Sequence, residues 1–77
     1  MRKIKHLDTY PSTNTFLYSA RSKITKRTNL AVLRISPDQI QAWHASGKHI
    51  SEFFPKLSRG DREFLLFGTI PEEWNFV

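Results

Sequence analysis

The chain has no cysteine. That removes disulfide staples and thiolate metal ligands together, so neither a disulfide-built secreted scaffold nor a zinc finger is open to it. No apolar run approaches the roughly 20 residues that a membrane-spanning helix needs, and the basic opening MRKIKHLDTYPST is not followed by the apolar stretch of a secretory signal. Acidic residues are nearly missing from the first half. Residues 1–35 hold Asp8 alone against eight Lys and Arg, a balance of +7, whereas residues 36–77 hold six acids against four bases, a balance of −2. Glycine is scarce too, three in 77 residues, and no glycine-rich phosphate loop is present. The expectation is one small cytoplasmic domain, without membrane association, whose basic half attracts phosphates or an acidic protein surface.

What the chain does have is aromatic side chains: six Phe, two Tyr and two Trp. They argue against wholesale disorder and can either fill a core or make an adhesive surface. Residues 1–13 read as a basic flexible arm that ends in the turn-like Tyr10-Pro11-Ser12-Thr13. Residues 14–77 read as a single compact domain. Within it NTFLYSA (14–20) leans towards β structure, and LAVLRI (30–35) has the branched apolar content of a buried strand. The basic link RSKITKRT (21–28) joins them into a hairpin over 14–35, with a loop longer than the usual two to five residues.

From residue 36 onward the pattern is helical. Ser36 is placed to cap a helix with Pro37 at its first position and Asp38 near the positive end of its dipole; Ile40, Trp43 and His44 share a face, and Gly47 supplies the stop. A shorter helix is expected over about Lys48 to Phe54, ended by Pro55, and Pro71 begins an acidic turn in which Trp74 and Phe76 close over the core. The predicted fold class is therefore α+β: a small single domain with an N-terminal β-hairpin followed by three or four short helices over 36–77.

The stretch SRGDREFLLFG, 58–68, admits two readings. As the start of a helix, Ser58 caps a segment whose third position is Asp61 and which Gly68 ends. As an adhesion tripeptide, Arg59-Gly60-Asp61 would have to lie on an exposed loop of an extracellular protein. The helix reading is preferred, because Pro55 and Gly68 punctuate a segment of helical length. Four consecutive apolar residues, Phe64 to Phe67, cover more than one helical face, so this helix is either central to the core or exposes one side as an interaction or dimerising patch.

Signals for chemistry are weak. His44 and His49 are five apart rather than at the i, i+4 spacing that puts two imidazoles on one helical face, and His6 is remote from both. Asp61 with Glu63 and Glu72 with Glu73 are neighbours that do not point the same way on a helix. No nucleophile sits in a recognisable setting. No catalytic residue, cofactor or metal is assigned, and the chain is read as non-enzymatic.

Binding is the better signal. Arg21, Lys23, Lys26 and Arg27, with Arg34 beyond, form a basic patch interleaved with hydroxyls. It would contact nucleic acid through phosphates, dock on an acidic protein, or simply be a solvated loop. Trp43, Phe53, Phe54 and Trp74 are the candidate aromatic anchors if exposed.

From Ile35 to Phe76 the chain resembles small bacteriophage-encoded proteins of uncharacterised function. The residues that carry the resemblance are the helix Pro37 to Gly47, Phe54-Pro55-Lys56-Leu57, Asp61-Arg62-Glu63-Phe64-Leu65, Gly68, and Pro71-Glu72-Glu73-Trp74. Members of that group with cysteines exist; with none here, no metal site carries over. The resemblance implies a host-takeover or counter-defence factor that binds and inhibits or redirects a host protein, one that handles nucleic acid being a natural target. A direct DNA- or RNA-binding module and a regulatory homo-oligomer stand as alternatives.

Overall fold

Strand-forming residues begin earlier than the sequence pattern reveals. The computed structural model describes residues 4–76, with the side chains of Asn75 and Phe76 outside that description. Strands β1 (Ile4–Tyr10), β2 (Thr15–Arg21) and β3 (Thr28–Leu33) form an antiparallel sheet in the order β1-β2-β3. The expected hairpin is thus β2–β3, and the stretch read as a flexible arm is, from Ile4 to Tyr10, a third strand paired along β2. The reason it does not read as a strand is a bulge: the register shifts between His6 and Asp8, so Leu7 is left exposed and the two-residue alternation resets. Met1 to Lys3 of the expected arm lie outside the described residues, as does the Phe76 side chain expected over the core.

The turn at 11–14 closes β1 onto β2 through Thr13 N to Tyr10 O and Asn14 N to Pro11 O, both 3.3 Å. Asn14 takes φ of 54°, a left-handed conformation that Asn tolerates better than most residues. Across the sheet, Ile4 stands opposite Ala20, His6 opposite Tyr18, Tyr18 opposite Ala31, and Phe16 opposite Leu33, which puts all of them on one face. That face meets the helices.

Helix α1 (Pro37–Ser46) begins with a complete capping box: Gln39 N donates to Ser36 Oγ at 3.2 Å and Ser36 N to Gln39 Oε1 at 2.8 Å. It ends at Gly47 with φ of 70°. Helix α2 (Ile50–Phe53) is a single turn, and α3 (Arg59–Phe67) starts where Ser58 Oγ accepts from Asp61 N at 3.2 Å. Arg59-Gly60-Asp61 is therefore the first turn of a helix. A 3-10 helix (Pro71–Phe76) completes the described chain. Tyr18, Ala20, Leu33, Ile35, Ile40, Ile50, Phe64 and Leu65 make the core, and Tyr18 donates its hydroxyl to Ile35 O within it. The protein is an α+β domain with its sheet on one side and its helices on the other.

Candidate functional site

The basic loop between β2 and β3 is held from beneath by a carboxylate. Glu73, 5% exposed, accepts from Thr25 Oγ1 and, at 3.0 Å, from Asn29 Nδ2, which also donates to Gly68 O at 2.8 Å. Burial works to raise the Glu73 carboxyl, but donations from Thr25, Ser22, Asn29 and the Ile70 backbone outweigh it and hold the group below its ordinary value. Ser22 is itself buried, and its Oγ accepts from Ile24 N and Thr25 N, both at 3.1 Å. These bonds shape the loop from inside, so its cations are carried on an ordered frame.

Arg21, Lys23, Lys26 and Arg27 come together on this loop, all exposed. Part of their hydrogen-bonding capacity serves the loop itself: Arg21 Nε donates to Lys26 O at 3.0 Å and Lys26 Nζ to Lys23 O at 3.2 Å. Lys26 has φ of 65°, an uncommon conformation for a side chain of its kind. Arg34 does not join the cluster. It follows β3 at the far end of that strand, and six residues at about 3.3 Å each put roughly 20 Å between them.

The candidate aromatic anchors are spent largely inside the molecule. Trp43 and Phe54 are half-buried against the core, with ring centroids 6.1 Å apart, and Trp43 Nε1 donates to Lys48 O at 3.1 Å. Phe53 meets Phe54 edge-on at 4.8 Å. Trp74 lies under the Arg59 guanidinium, 4.0 Å from its ring centroid. In α3, Phe64 and Leu65 are buried, Leu66 packs against the core and Phe67 is the exposed member, so most of the apolar run is core.

The exposed apolar surface is elsewhere. The register pairs Leu17 with Val32 and Ser19 with Leu30 on the sheet face turned away from the helices. Leu30 is 57% and Val32 54% exposed, the largest values among the exposed apolar residues, and Leu7 and Tyr10 on β1 are exposed as well. Lys5 and Asp8 share that face by register and Arg21 stands at one end of it, whereas Arg34 lines a pocket with Gln39, Phe53, Phe54 and Asp61 of the helical part. The sequence does not announce this face, because LAVLRI has the apolar content of a buried strand and a run of that length does not distinguish one covered face from two. The signal that could have found it is the count of covering elements, since three short helices close only one face of a sheet.

Among the described residues, no three His, Cys, Asp or Glu side chains group as metal ligands. The His44 ring is tilted against Trp43 with centroids 4.8 Å apart, His49 precedes α2 with Nδ1 3.3 Å from Ser51 Oγ, and His6 Nε2 lies 2.9 Å from both Asp8 O and Thr9 Oγ1 at the bulge. Burial raises the Asp61 carboxyl, opposed by its hydrogen bond with Ser58. No described helix is long and apolar enough to cross a membrane. Compared with known proteins, the chain matches no family model, no curated protein and no solved structure.

Proposed function

We propose that this chain is a non-enzymatic interaction protein that docks the outer face of its sheet on a larger protein. The observation that carries the reading is the exposed pair Leu30 and Val32, with half-buried Leu17 beside them, on a face with no described helix over it, bordered by Lys5, Asp8 and Arg21. A strip of this kind supplies a dry centre and a polar rim, the anatomy of a protein interface. The cationic rim selects an acidic partner surface and speeds encounter with it. A second copy of this chain fits less well, because an isologous pairing opposes surfaces of like charge.

The resemblance of residues 35–76 to bacteriophage-encoded proteins directs the search to bacterial host proteins, and makes inhibition or redirection of a host machine the natural role. A host cytoplasm is then the place of action. Direct contact of the basic loop with DNA or RNA is the second reading, favoured by the clustering of Arg21, Lys23, Lys26 and Arg27 on one loop. Capture of tagged protein from bacterial lysate, with and without nuclease, separates the two: partner protein retained after nuclease supports docking, and retention that disappears with nuclease supports the second reading. A solution molar mass of twice the monomer would assign the strip to self-association instead.

A further inference from the structure

The β2–β3 loop, α3 and the C-terminal 3-10 helix enclose a groove of about 440 Å³ lined by Lys23, Ile24, Arg59, Phe67 and Trp74, with Glu63 along one wall. Its size is that of a site for a small ligand or for a few side chains of a peptide. The groove is braced on both sides. Lys23 N donates to Phe67 O at 2.9 Å, tying the loop to α3, while Thr25 and Glu73 tie the loop to the 3-10 helix.

The walls are apolar and the rim is cationic. Ile24 and Phe67 are exposed, Lys23 Nζ lies 5.6 Å from the Phe67 ring centroid, and the Arg59 guanidinium lies 4.0 Å from that of Trp74. Each aromatic wall therefore already carries a cation. A nucleobase needs a ring face to stack on, and stacking here would displace the cations that its own phosphate requires. A carboxylate has no such conflict. Arg59 is also not locked in place: its Nε is 3.7 Å from Glu63 Oε1 and its side chain is 63% exposed, so the pair is looser than a charge-assisted hydrogen bond. Beside it, the buried Trp74 Nε1–H has no hydrogen-bond partner among the described residues.

We infer that the groove takes a short acidic, apolar peptide segment of the partner protein, with an aliphatic side chain between Ile24 and Phe67 and a neighbouring carboxylate on Lys23 and Arg59. The inference rests on the protein-docking reading and adds the chemistry of the partner; it does not require the sheet face. Lys23 holds the loop through its backbone, so the side chain can be changed without removing that tie.

The test is a titration of the isotope-labelled full chain, followed by NMR, with three probes: a short capped peptide of leucines flanked by glutamates, its glutamine isostere, and AMP. The glutamate peptide should shift the Lys23, Phe67 and Trp74 indole resonances, the isostere should bind about tenfold more weakly, and Lys23→Gln should weaken the glutamate peptide by a similar factor. Equal binding of the isostere, tighter binding of AMP, shifts confined to other residues, or an unchanged affinity of Lys23→Gln would overturn the inference. If the peptide fails to bind while partner protein is still captured after nuclease, the groove assignment alone is wrong. If it binds but no protein is captured, the docking reading falls, and with it the role assigned to the groove.

Discussion

Asn29 and Glu73 are 44 residues apart, yet Asn29 Nδ2 donates to Glu73 Oε1 at 3.0 Å in a buried site. This bond, with Thr25 on the other carboxylate oxygen, joins the sheet and its basic loop to the last described turn of the chain. Removing the carboxylate leaves Asn29 only its bond to Gly68 O for two buried amide hydrogens and takes the acceptor from the part-buried Thr25 hydroxyl. Glu73→Ala should cost about 2–3 kcal/mol in chemical denaturation and open the 22–27 loop to proteolysis.

The same carboxylate sets an acid limit. Because its hydrogen bonds hold its folded value below the ordinary glutamate value, it contributes stability that is present above the unfolded value and is lost as pH falls through the folded one. Denaturation midpoints measured through the acid range should therefore fall in the wild type, and the fall should be smaller in Glu73→Gln.

An opposite limit lies at high pH. Burial pushes the Tyr18 hydroxyl from 10.0 up to about 12. Since the folded value is raised, the contribution is complete below pH 10.0 and declines as pH rises towards about 12, by roughly 2–3 kcal/mol in all. Tyr18→Phe should remove this alkaline decline and cost about 1–2 kcal/mol at neutral pH, where Ile35 O loses its donor.

Two glycines should respond in opposite directions. At Gly47, with φ of 70°, an added Cβ meets no atom within 4 Å, so Gly47→Ala tests backbone strain alone and should destabilise by about 1 kcal/mol. Gly60 is equally uncrowded but sits in the first turn of α3 without positive φ, so Gly60→Ala should stabilise by up to about 1 kcal/mol. Thermal unfolding of the two variants gives both signs in one experiment.

Local signals carried the helical half of the molecule. Ser36, Gly47, Ser58 with Asp61, and Gly68 are short-range devices whose partners lie within a turn or two, and each stands at its expected place, while the Gln39 half of the Ser36 capping box is seen only in the structure. The β2–β3 hairpin was legible for the same reason. What escaped depends on distant residues: β1 is concealed by its bulge, and Leu30 and Val32 are exposed because no described element covers the outer face. The buried role of Glu73 was equally hidden, since nothing near Pro71-Glu72-Glu73-Trp74 announces Asn29 or Thr25. Arg21, Lys23, Lys26 and Arg27 gather at the β2–β3 connection as their nearness in sequence suggests, while β3 carries Arg34 away from them.

If the loop cations steer encounter, changing Lys26 and Arg27 together to Ala should slow association with the partner and flatten its salt dependence, with a smaller effect on dissociation. Binding rates measured over a range of ionic strength separate this from a loss of contact area.

The most direct measurement is capture from bacterial lysate after nuclease treatment, comparing the wild type with a Leu30→Asn, Val32→Thr double variant. Both side chains are more than half exposed, so the variant should keep its fold, as thermal unfolding can verify. The sheet-docking account predicts that a partner protein is retained by the wild type and lost by the variant. Equal retention by the two proteins, or retention that nuclease abolishes in both, would contradict it.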